Sequence, residues 1–198
     1  MGMPAVRRRW TAAEVRALMD ETRPTPRYEL IDGELLVTPS PRPFHQLAVG
    51  ALHLLLHAYV HRHRLGAVLL SPADLELEAE SIVQPDLFVL PRDAVVPREE
   101  WGVVKELLLA VEVLSPSSVR IDRFTKRRFF QRVGVPGYRI VDVDARSVER
   151  WTPDDERPEL LDDRLSWNPP GAAEPLLVDL PAFFRAVWGE SDTDSRFA

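Results

Sequence analysis

The chain has 198 residues, of which 45% are hydrophobic and 28% charged, and these proportions are typical of a globular protein rather than a disordered or fibrous one. It contains no cysteine, which excludes a disulfide framework, a zinc site built on thiolates and a cysteine nucleophile. The net charge of −6 argues against a broad basic surface, so any nucleic acid must bind locally. No apolar run is long enough for a signal peptide or a membrane span, which predicts a cytoplasmic protein with no membrane partner.

The first predicted elements follow from capping, turn and periodicity signals. Thr11 and Glu14 form a capping-box pattern that predicts a short helix. The run 28–37 holds an Asp-Gly turn between two β-rich stretches and predicts a hairpin. Apolar residues then recur at helical spacing over 44–65, which predicts one long amphipathic helix ended by Gly66.

Strands dominate the middle of the chain. Strand-like runs follow at 67–70, 75–78 and 86–90, and the most apolar run, 107–114, predicts a central strand buried on both faces. Helix-start residues and a glycine stop then predict a helix over 119–133.

The last third predicts strands at 138–142 and 147–151, loops with at most one edge strand over 152–174, and a short closing helix over 180–188. The fold class is therefore α/β, with a mixed central sheet flanked by the long helix and by the helix at 119–133. We predict a single domain over 10–188, with flexible ends at 1–9 and 189–198.

Two acidic residues interrupt apolar strands. Glu112 lies within the run 107–114 and Asp86 opens the run 86–90, so both carboxylates leave bulk water unless they face a cleft. Two such acids on adjacent strands, on the same side of a sheet, provide hard oxygen ligands suited to Mg²⁺ or Mn²⁺. The alternative is structural: Asp86 caps a turn after Pro85, and Glu112 pairs with an arginine.

The helix at 119–133 supplies a candidate third member. Asp122 and Lys126 lie four residues apart and share one helical face. Lys126 is one of only two lysines among 25 basic residues, and an ammonium group can approach a metal-bound water or a phosphoryl oxygen as a point charge. The alternative is an ordinary surface ion pair, worth a few tenths of a kcal/mol.

The order of acid, acid and lysine resembles the PD-(D/E)XK nuclease superfamily, whose site is a proline-aspartate followed by an acid and a lysine around a divalent metal ion. Six ordered blocks between 10 and 151 resemble, more specifically, the Uma-type restriction endonuclease family. These blocks are Tyr28-Glu-Leu-Ile-Asp-Gly-Glu34, Pro41-x-x-x-His45, Val83-Gln-Pro-Asp86-Leu, Val111-Glu-Val-Leu-Ser-Pro-Ser117, Asp122-x-x-x-Lys126 and Gly134-Val-Pro-x-Tyr138-x-Ile-Val-Asp142. Each block alone is weak, but together they are specific.

Carried over by position, the resemblance implies a restriction-endonuclease-like fold in which Asp86 and Glu112 hold the metal ion and Lys126 is the catalytic lysine. The superfamily's usual lysine position, two residues after the acid, holds Leu114 here. In this chain the lysine would therefore have moved to the following helix.

The resemblance also implies accessory residues. An acid from the first hairpin would join the site, and both Glu29 and Glu34 are candidates because strand alternation does not decide which points inward. His45 begins the long helix and is a candidate to line the cleft. The segment Gly137-Tyr138-Arg139 departs from the family pattern, which has an acid before the tyrosine and a tryptophan after it, and we expect this change at the cleft's rim.

Three further histidines step along one face of the long helix at His53, His57 and His61, and a pair at this spacing can bind zinc. No acid-containing second motif accompanies them. We interpret this row as solvated or structural.

The sequence thus favours metal-dependent hydrolysis of phosphodiester bonds in DNA, with Mg²⁺ or Mn²⁺ as cofactor. The metal would lower the pKa of a bound water, while the lysine orients that water or stabilises the transition state. Phosphate contacts would come from four arginines of the helix at 119–133, namely Arg120, Arg123, Arg127 and Arg128. The alternative is a catalytically inactive nuclease-like domain that serves as a binding or oligomerisation module, and a homo-oligomer is compatible with either function.

Overall fold

The computed structural model describes residues 8–21, 27–94 and 103–190. These ranges contain four α-helices and ten strands, which are α1 (Ala12–Glu21), β1 (Arg27–Ile31), β2 (Glu34–Thr38), α2 (Pro43–His63), β3 (Gly66–Leu70), β4 (Leu87–Pro91), β5 (Leu109–Val113), α3 (Arg127–Arg132), β6 (Tyr138–Asp142), β7 (Ser147–Trp151), β8 (Glu159–Leu161), β9 (Arg164–Trp167), β10 (Leu176–Asp179) and α4 (Leu180–Trp188). A π-helical segment, Ile121–Lys126, leads directly into α3.

A six-stranded mixed sheet forms the centre of the described structure, in the order β3-β4-β5-β6-β7-β8. Strands β5 and β6 run parallel, and the other neighbours in this sheet are antiparallel. The strands β1 and β2 form a separate hairpin, and β9 pairs with β10. The predicted α/β class with a mixed central sheet is confirmed.

Each face of the sheet carries its own apolar core. On one face, α2 and α4 pack against the sheet, and the core includes Leu52, Leu56, Val89, Val111, Val141 and Phe184. On the other face, α3 packs against the sheet, and the core includes Phe88, Ala110, Phe129, Phe130 and Ile140. Alternation along the strands explains this division, because neighbouring residues such as Ala110 and Val111 point to opposite faces.

The predicted hairpin, long helix, central strand and closing helix are confirmed, but some boundaries differ. The long helix ends at His63, where Arg64 adopts the left-handed conformation with φ 54°. Gly66 does not end this helix and instead begins β3. Its φ is 155°, and a Cβ atom there would lie 1.8 Å from the backbone oxygen of Leu90, so only glycine permits this close approach of β3 to β4.

Two predictions about strands were wrong. The run 75–78 forms no strand, because the chain turns back at Glu78 and Ser81, and Leu75 makes an isolated bridge with Val83. The region 152–174 contains two strands, β8 and β9, rather than at most one. These strands have only three and four residues, and the surrounding prolines and acidic residues are typical of loops, so the sequence pattern does not reveal them.

The chain ends lie partly outside the described residues, which exclude 1–7 and 191–198. Within the described part, Gly189 caps α4 and Glu190 pairs with Arg146. None of the helices in the described ranges is both long enough and apolar enough to cross a membrane.

Candidate active site

A buried cluster of charged side chains lies where β4 begins and β5 ends, against the hairpin, α2 and the π-helical segment. Its members come from five parts of the chain and are each less than a sixth exposed: Arg27, Glu29, His45, Asp86, Glu112, Asp122 and Lys126. We call this set the acidic cluster. Four carboxylates against two permanent cations leave it with surplus negative charge.

Asp86 and Glu112 face each other across two adjacent strands. Leu87 pairs with Val111 in the antiparallel ladder of β4 and β5, so Asp86 stands opposite Glu112, one step beyond the paired residues. Residues directly opposite in an antiparallel pair point to the same face. The side chain of Asp86 also accepts a hydrogen bond from the backbone nitrogen of Val113 at 2.9 Å, which ties it to the end of β5.

Lys126 lies at the centre of the acidic cluster. Its Nζ atom is 2.8 Å from Oε1 of Glu112, 2.9 Å from Oε2 of Glu29 and 3.8 Å from Oδ1 of Asp122. Lys126 and Asp122 are only 3% and 1% exposed. The surface ion pair considered from the sequence is therefore excluded.

The π-helical segment positions this lysine. Its hydrogen bonds run from residue i to i+5 and widen the turn over Ile121–Lys126, directly after β5. Tyr138 of β6 donates a hydrogen bond from its hydroxyl to the backbone oxygen of Asp122 at 3.1 Å, which holds the wide turn against the sheet. Such segments interrupt α-helices frequently at functional sites.

Asp86 is held by three donors. Nη1 of Arg27 lies 2.9 Å from Oδ1, and Nε2 of His45 lies 2.9 Å from Oδ2, in addition to the backbone nitrogen of Val113. Arg27, His45 and Asp86 line a cavity of about 170 Å³ together with Pro41 and Pro72. The acidic cluster is therefore reached from the side of Asp86.

The two hairpin glutamates, between which the sequence does not decide, have different positions. Glu29 is fully buried, and it contacts Lys126 through Oε2 and accepts a hydrogen bond from the backbone nitrogen of Gln84 through Oε1 at 2.7 Å. Glu34 is exposed beside the turn of the hairpin and lines a different cavity with Arg9 and Trp10. Only Glu29 lies in the acidic cluster.

Burial controls the protonation of the carboxylates. Burial raises the pKa of Glu112 well above its usual range, and Lys126 offsets this only in part. Burial likewise raises the pKa of Asp122 to about 6. Burial would also raise the pKa of Asp86, but the hydrogen bond and charge of His45 and the charges of Arg27 and Lys126 outweigh it and hold this pKa well below its usual range.

Burial acts on the pKa of a lysine in the opposite direction. Burial alone would lower the pKa of Lys126, but the neighbouring carboxylates, Glu112 first among them, raise it above its ordinary value. Lys126 is therefore a fixed cation in this environment. A role in which its ammonium exchanges a proton is disfavoured by the surrounding charges.

The donor set fits a divalent cation in chemistry and charge. Carboxylate oxygens are the ligands that Mg²⁺ and Mn²⁺ prefer, and the buried Oδ1 atom of Asp122 accepts no hydrogen bond. Among the described residues, no three acidic or histidine side chains converge on one point as metal ligands, because Lys126 is the cation that Glu29 and Glu112 share. Asp86 and Glu112 stand opposite each other on adjacent strands, and both carboxylates already contact donors of the protein.

The four arginines predicted to contact phosphate fall into two groups. Arg120 and Arg128 are exposed. Arg123 pairs with Glu149 at 2.5 Å and with Asp142 at 3.2 Å, and Arg127 donates to neighbouring oxygens and stacks on an indole ring. The first two guanidinium groups are therefore available to a ligand, whereas the second two are engaged in intramolecular contacts.

Two other features lie apart from the acidic cluster. The rings of His53, His57 and His61 follow one another along α2 with centroid separations of 5.6 and 6.1 Å.

The predicted change at the cleft's rim was wrong for Arg139. In the ladder of β5 and β6, Arg139 pairs with Val111, whereas Glu112 pairs with Ile140. Arg139 therefore lies on the face of the sheet opposite Glu112.

The sequence did not single out Arg27 or Gln84, although both shape the site. Gln84 supports Glu29 through its backbone nitrogen, and its side chain donates to Asp74 at 2.6 Å. The signal for Arg27 was its position in β1 two residues before Glu29, which places both on one face of the hairpin.

The mixed six-stranded sheet flanked by helices has the architecture of a restriction-endonuclease-like protein. A crystal structure described as a putative nuclease belonging to DUF820 from Anabaena variabilis has the same fold, with a TM-score of 0.73, 20% sequence identity, and coverage of 89% of this chain and 98% of that chain. The chain belongs to the Uma2 family, described as "Putative restriction endonuclease", whose model matches residues 12–180. No curated protein matches it.

Proposed function

We propose that this protein hydrolyses phosphodiester bonds in DNA, with Mg²⁺ or Mn²⁺ held by Asp86 and Glu112. The observation that carries the proposal is the position of Lys126, which lies 2.8 Å from Glu112 although 14 residues separate them in sequence. Two strands and a π-helical segment bring Asp86, Glu112 and Lys126 to one cluster from separate parts of the chain, and this supports the proposal. The family membership supports the same reaction class.

Asp86 and Lys126 have distinct parts in this proposal. When bound, the metal ion supplies a Lewis acid that polarises a phosphoryl oxygen and lowers the pKa of a water molecule. Asp86 remains ionised because His45 and Arg27 stabilise its charge. Lys126 keeps Glu112 oriented and presents a fixed positive charge, which suits stabilisation of a developing phosphorane charge rather than proton abstraction.

Substrate contacts are assigned to exposed cations near the site. The net charge of −6 is unfavourable for extended DNA binding, so a few local contacts must position the backbone. Arg120 and Arg128 are exposed and flank the π-helical segment that carries Lys126. We assign phosphate contacts to these two arginines rather than to Arg123 and Arg127.

The test is cleavage of plasmid DNA, single-stranded DNA and RNA in the presence of Mn²⁺ or Mg²⁺. Asp86→Asn and Glu112→Gln should each reduce the rate by more than the roughly 10–100-fold that loss of an outer-shell partner costs. Glu34→Gln is the matched control, because it makes the same chemical change in a glutamate outside the acidic cluster, and it should cleave like the wild type.

Two results would contradict the proposal. Equal cleavage by the wild type and by Asp86→Asn would place the activity elsewhere. Absence of cleavage of every substrate by folded wild-type protein with either metal would favour the inactive binding or oligomerisation module.

A further inference from the structure

A second polar cavity lies on the face of the sheet opposite the acidic cluster. It has a volume of about 510 Å³, within the range of cavities that hold small ligands. Three arginines line it, Arg139 of β6, Arg150 of β7 and Arg164 of β9, and we call it the arginine cavity. Hydroxyl and amide groups of Ser166 and Asn168 also line it.

Arg139 is the unusual member of this cavity. It is 5% exposed, and its Nη1 atom donates only to the backbone oxygens of Tyr138 at 3.0 Å and Trp151 at 3.3 Å. Its buried Nε atom has no hydrogen-bond partner, and no carboxylate of the described residues forms an ion pair with it. Burial of a charge without a counter-ion costs free energy, and a bound anion would compensate the charge of this guanidinium group.

A neighbouring positive charge makes the burial of Arg139 still less favourable. Arg139 stands directly opposite Arg150 in the ladder of β6 and β7, and like charges in such positions repel. Burial and then the charge of Arg150 lower the pKa of Arg139 to about 10, which still leaves it charged at neutral pH. Glu159 is the one carboxylate among the lining residues, and it pairs with Arg150.

Arg164 adds a third positive charge from the other side of the cavity. Its residue is exposed at the start of β9, and no carboxylate in the described part of the chain forms an ion pair with it. Asp179 stands opposite Arg164 in the ladder of β9 and β10, but neither Arg139 nor Arg164 forms an ion pair with a carboxylate of the described residues. The two arginines therefore offer one buried and one exposed guanidinium group.

We propose that the arginine cavity binds the phosphoryl group of a ligand through Arg139 and Arg164. Guanidinium groups match the geometry of phosphate oxygens and can bind them through two parallel hydrogen bonds. Ser166 and Asn168 can donate further hydrogen bonds to the same group or to the rest of the ligand. Because the cavity lies on the far face of the sheet, this proposal does not depend on the proposed nuclease activity.

Isothermal titration calorimetry at constant ionic strength tests the proposal with three probes: inorganic phosphate, pyrophosphate and a short DNA oligonucleotide in EDTA. The variants are Arg139→Met, which removes the buried charge, and Arg164→Gln, which changes an exposed residue and should leave the fold intact. Arg157→Gln is the matched control, because Arg157 is exposed and does not line the cavity. Circular dichroism checks the folding of each variant.

We expect saturable binding of at least one probe by the wild type and by Arg157→Gln, weakened at least about tenfold in Arg164→Gln and in folded Arg139→Met, as loss of a charge-assisted hydrogen bond requires. If the small anions show this dependence, the ligand is a small phosphorylated molecule. If only the oligonucleotide shows it, the phosphoryl group belongs to nucleic acid. Absence of saturable binding, or binding equal in Arg164→Gln and the wild type, would overturn the proposal.

Discussion

Lys126 is the residue whose environment differs most from what its position in sequence indicates. Spacing alone pairs it with Asp122 on a helical face, and such a pair is normally exposed. In the structure Lys126 is only 3% exposed and lies within 4 Å of three buried carboxylates, whose negative charges it offsets. A buried cation in this position contributes to the stability of the fold as well as to any catalytic role.

The first prediction follows from this dual role. Lys126→Met removes the cation that contacts the buried carboxylates of Glu29 and Glu112, so we expect the free energy of unfolding to fall by about 3–5 kcal/mol, the cost of breaking a buried pair. Urea denaturation measures it. Lys105→Met is the matched control, because Lys105 is the other lysine and is exposed, and its effect should stay within about 0.5 kcal/mol. Equal losses in the two variants would contradict the central position of Lys126.

The second prediction separates the two hairpin glutamates. Glu29→Gln keeps an acceptor for the backbone nitrogen of Gln84 but removes the charge that faces Lys126. We expect cleavage to slow by about 10–100-fold, as for a residue that orients a catalytic group. Glu34→Gln should have no effect on the rate. The same rate loss in both variants would show that the hairpin acts on cleavage by some route other than Glu29.

The sequence predicted the types of side chain in this cluster better than the contacts between them. Glu112 and Asp86 were identified because acids in apolar strands are costly and demand a reason. Glu29 could not be chosen over Glu34, since the choice depends on how the hairpin packs on the sheet, and that packing is a tertiary contact. Arg27 was missed for the same reason, because nothing local shows that it reaches Asp86.

At the scale of elements, the edge pairing of β3 with β4 gives the third prediction. Gly66→Ala places a Cβ atom on the backbone oxygen of Leu90, so the end of this pairing must break, and we expect a loss of at least about 1–3 kcal/mol of stability. Gly50→Ala is the control in α2, where nothing lies within 4 Å, and it should stabilise the helix by about 0.5–1 kcal/mol. Thermal denaturation of both variants measures the difference. A neutral Gly66→Ala would contradict the close approach of the two strands.

The histidine row of α2 gives the fourth prediction. Replacement of His53, His57 and His61 together by glutamine should leave metal-dependent cleavage nearly unchanged, because hard cations prefer oxygen ligands. The comparison is the cleavage rate of the folded triple variant with Mn²⁺. Loss of activity would move the metal site from the acidic cluster to this helix.

Most elements could be predicted because their signals are local. The capping box at Thr11 and Glu14 is present, with the backbone nitrogen of Thr11 donating to the Glu14 side chain at 2.9 Å, and the Asp-Gly turn closes the hairpin. The π-helical turn was missed, because apolar periodicity over 119–133 does not distinguish it from an α-helix. This missed turn is the one that carries Lys126 to Glu112 near the end of β5.

At the scale of the whole molecule, the sheet separates two sites of opposite charge. The face with α3 holds the acidic cluster, and the face with α2 holds the arginine cavity. A surplus of buried negative charge destabilises the native state unless protons or a cation compensate it. Ion binding at the acidic cluster should therefore be visible in the stability of the entire chain.

The last prediction uses this linkage. An ion that binds the native state alone stabilises it by mass action, by about 2.7 kcal/mol at a free concentration 100 times its Kd. For a chain of this size, that corresponds to a rise in Tm of about 5–11 °C on addition of Mn²⁺ to the wild type. Glu112→Gln should lose most of this rise, and Glu34→Gln should keep it.

The increment on addition of Mn²⁺, rather than the Tm itself, is the quantity to compare in differential scanning calorimetry. Glu112→Gln also removes a buried charge and changes the Tm without metal, so its absolute value is not informative. Reversal by EDTA shows that the rise comes from the ion. An equal increment in Glu112→Gln and the wild type would place the ion outside the pair of Asp86 and Glu112, and the nuclease proposal would then lack its metal site.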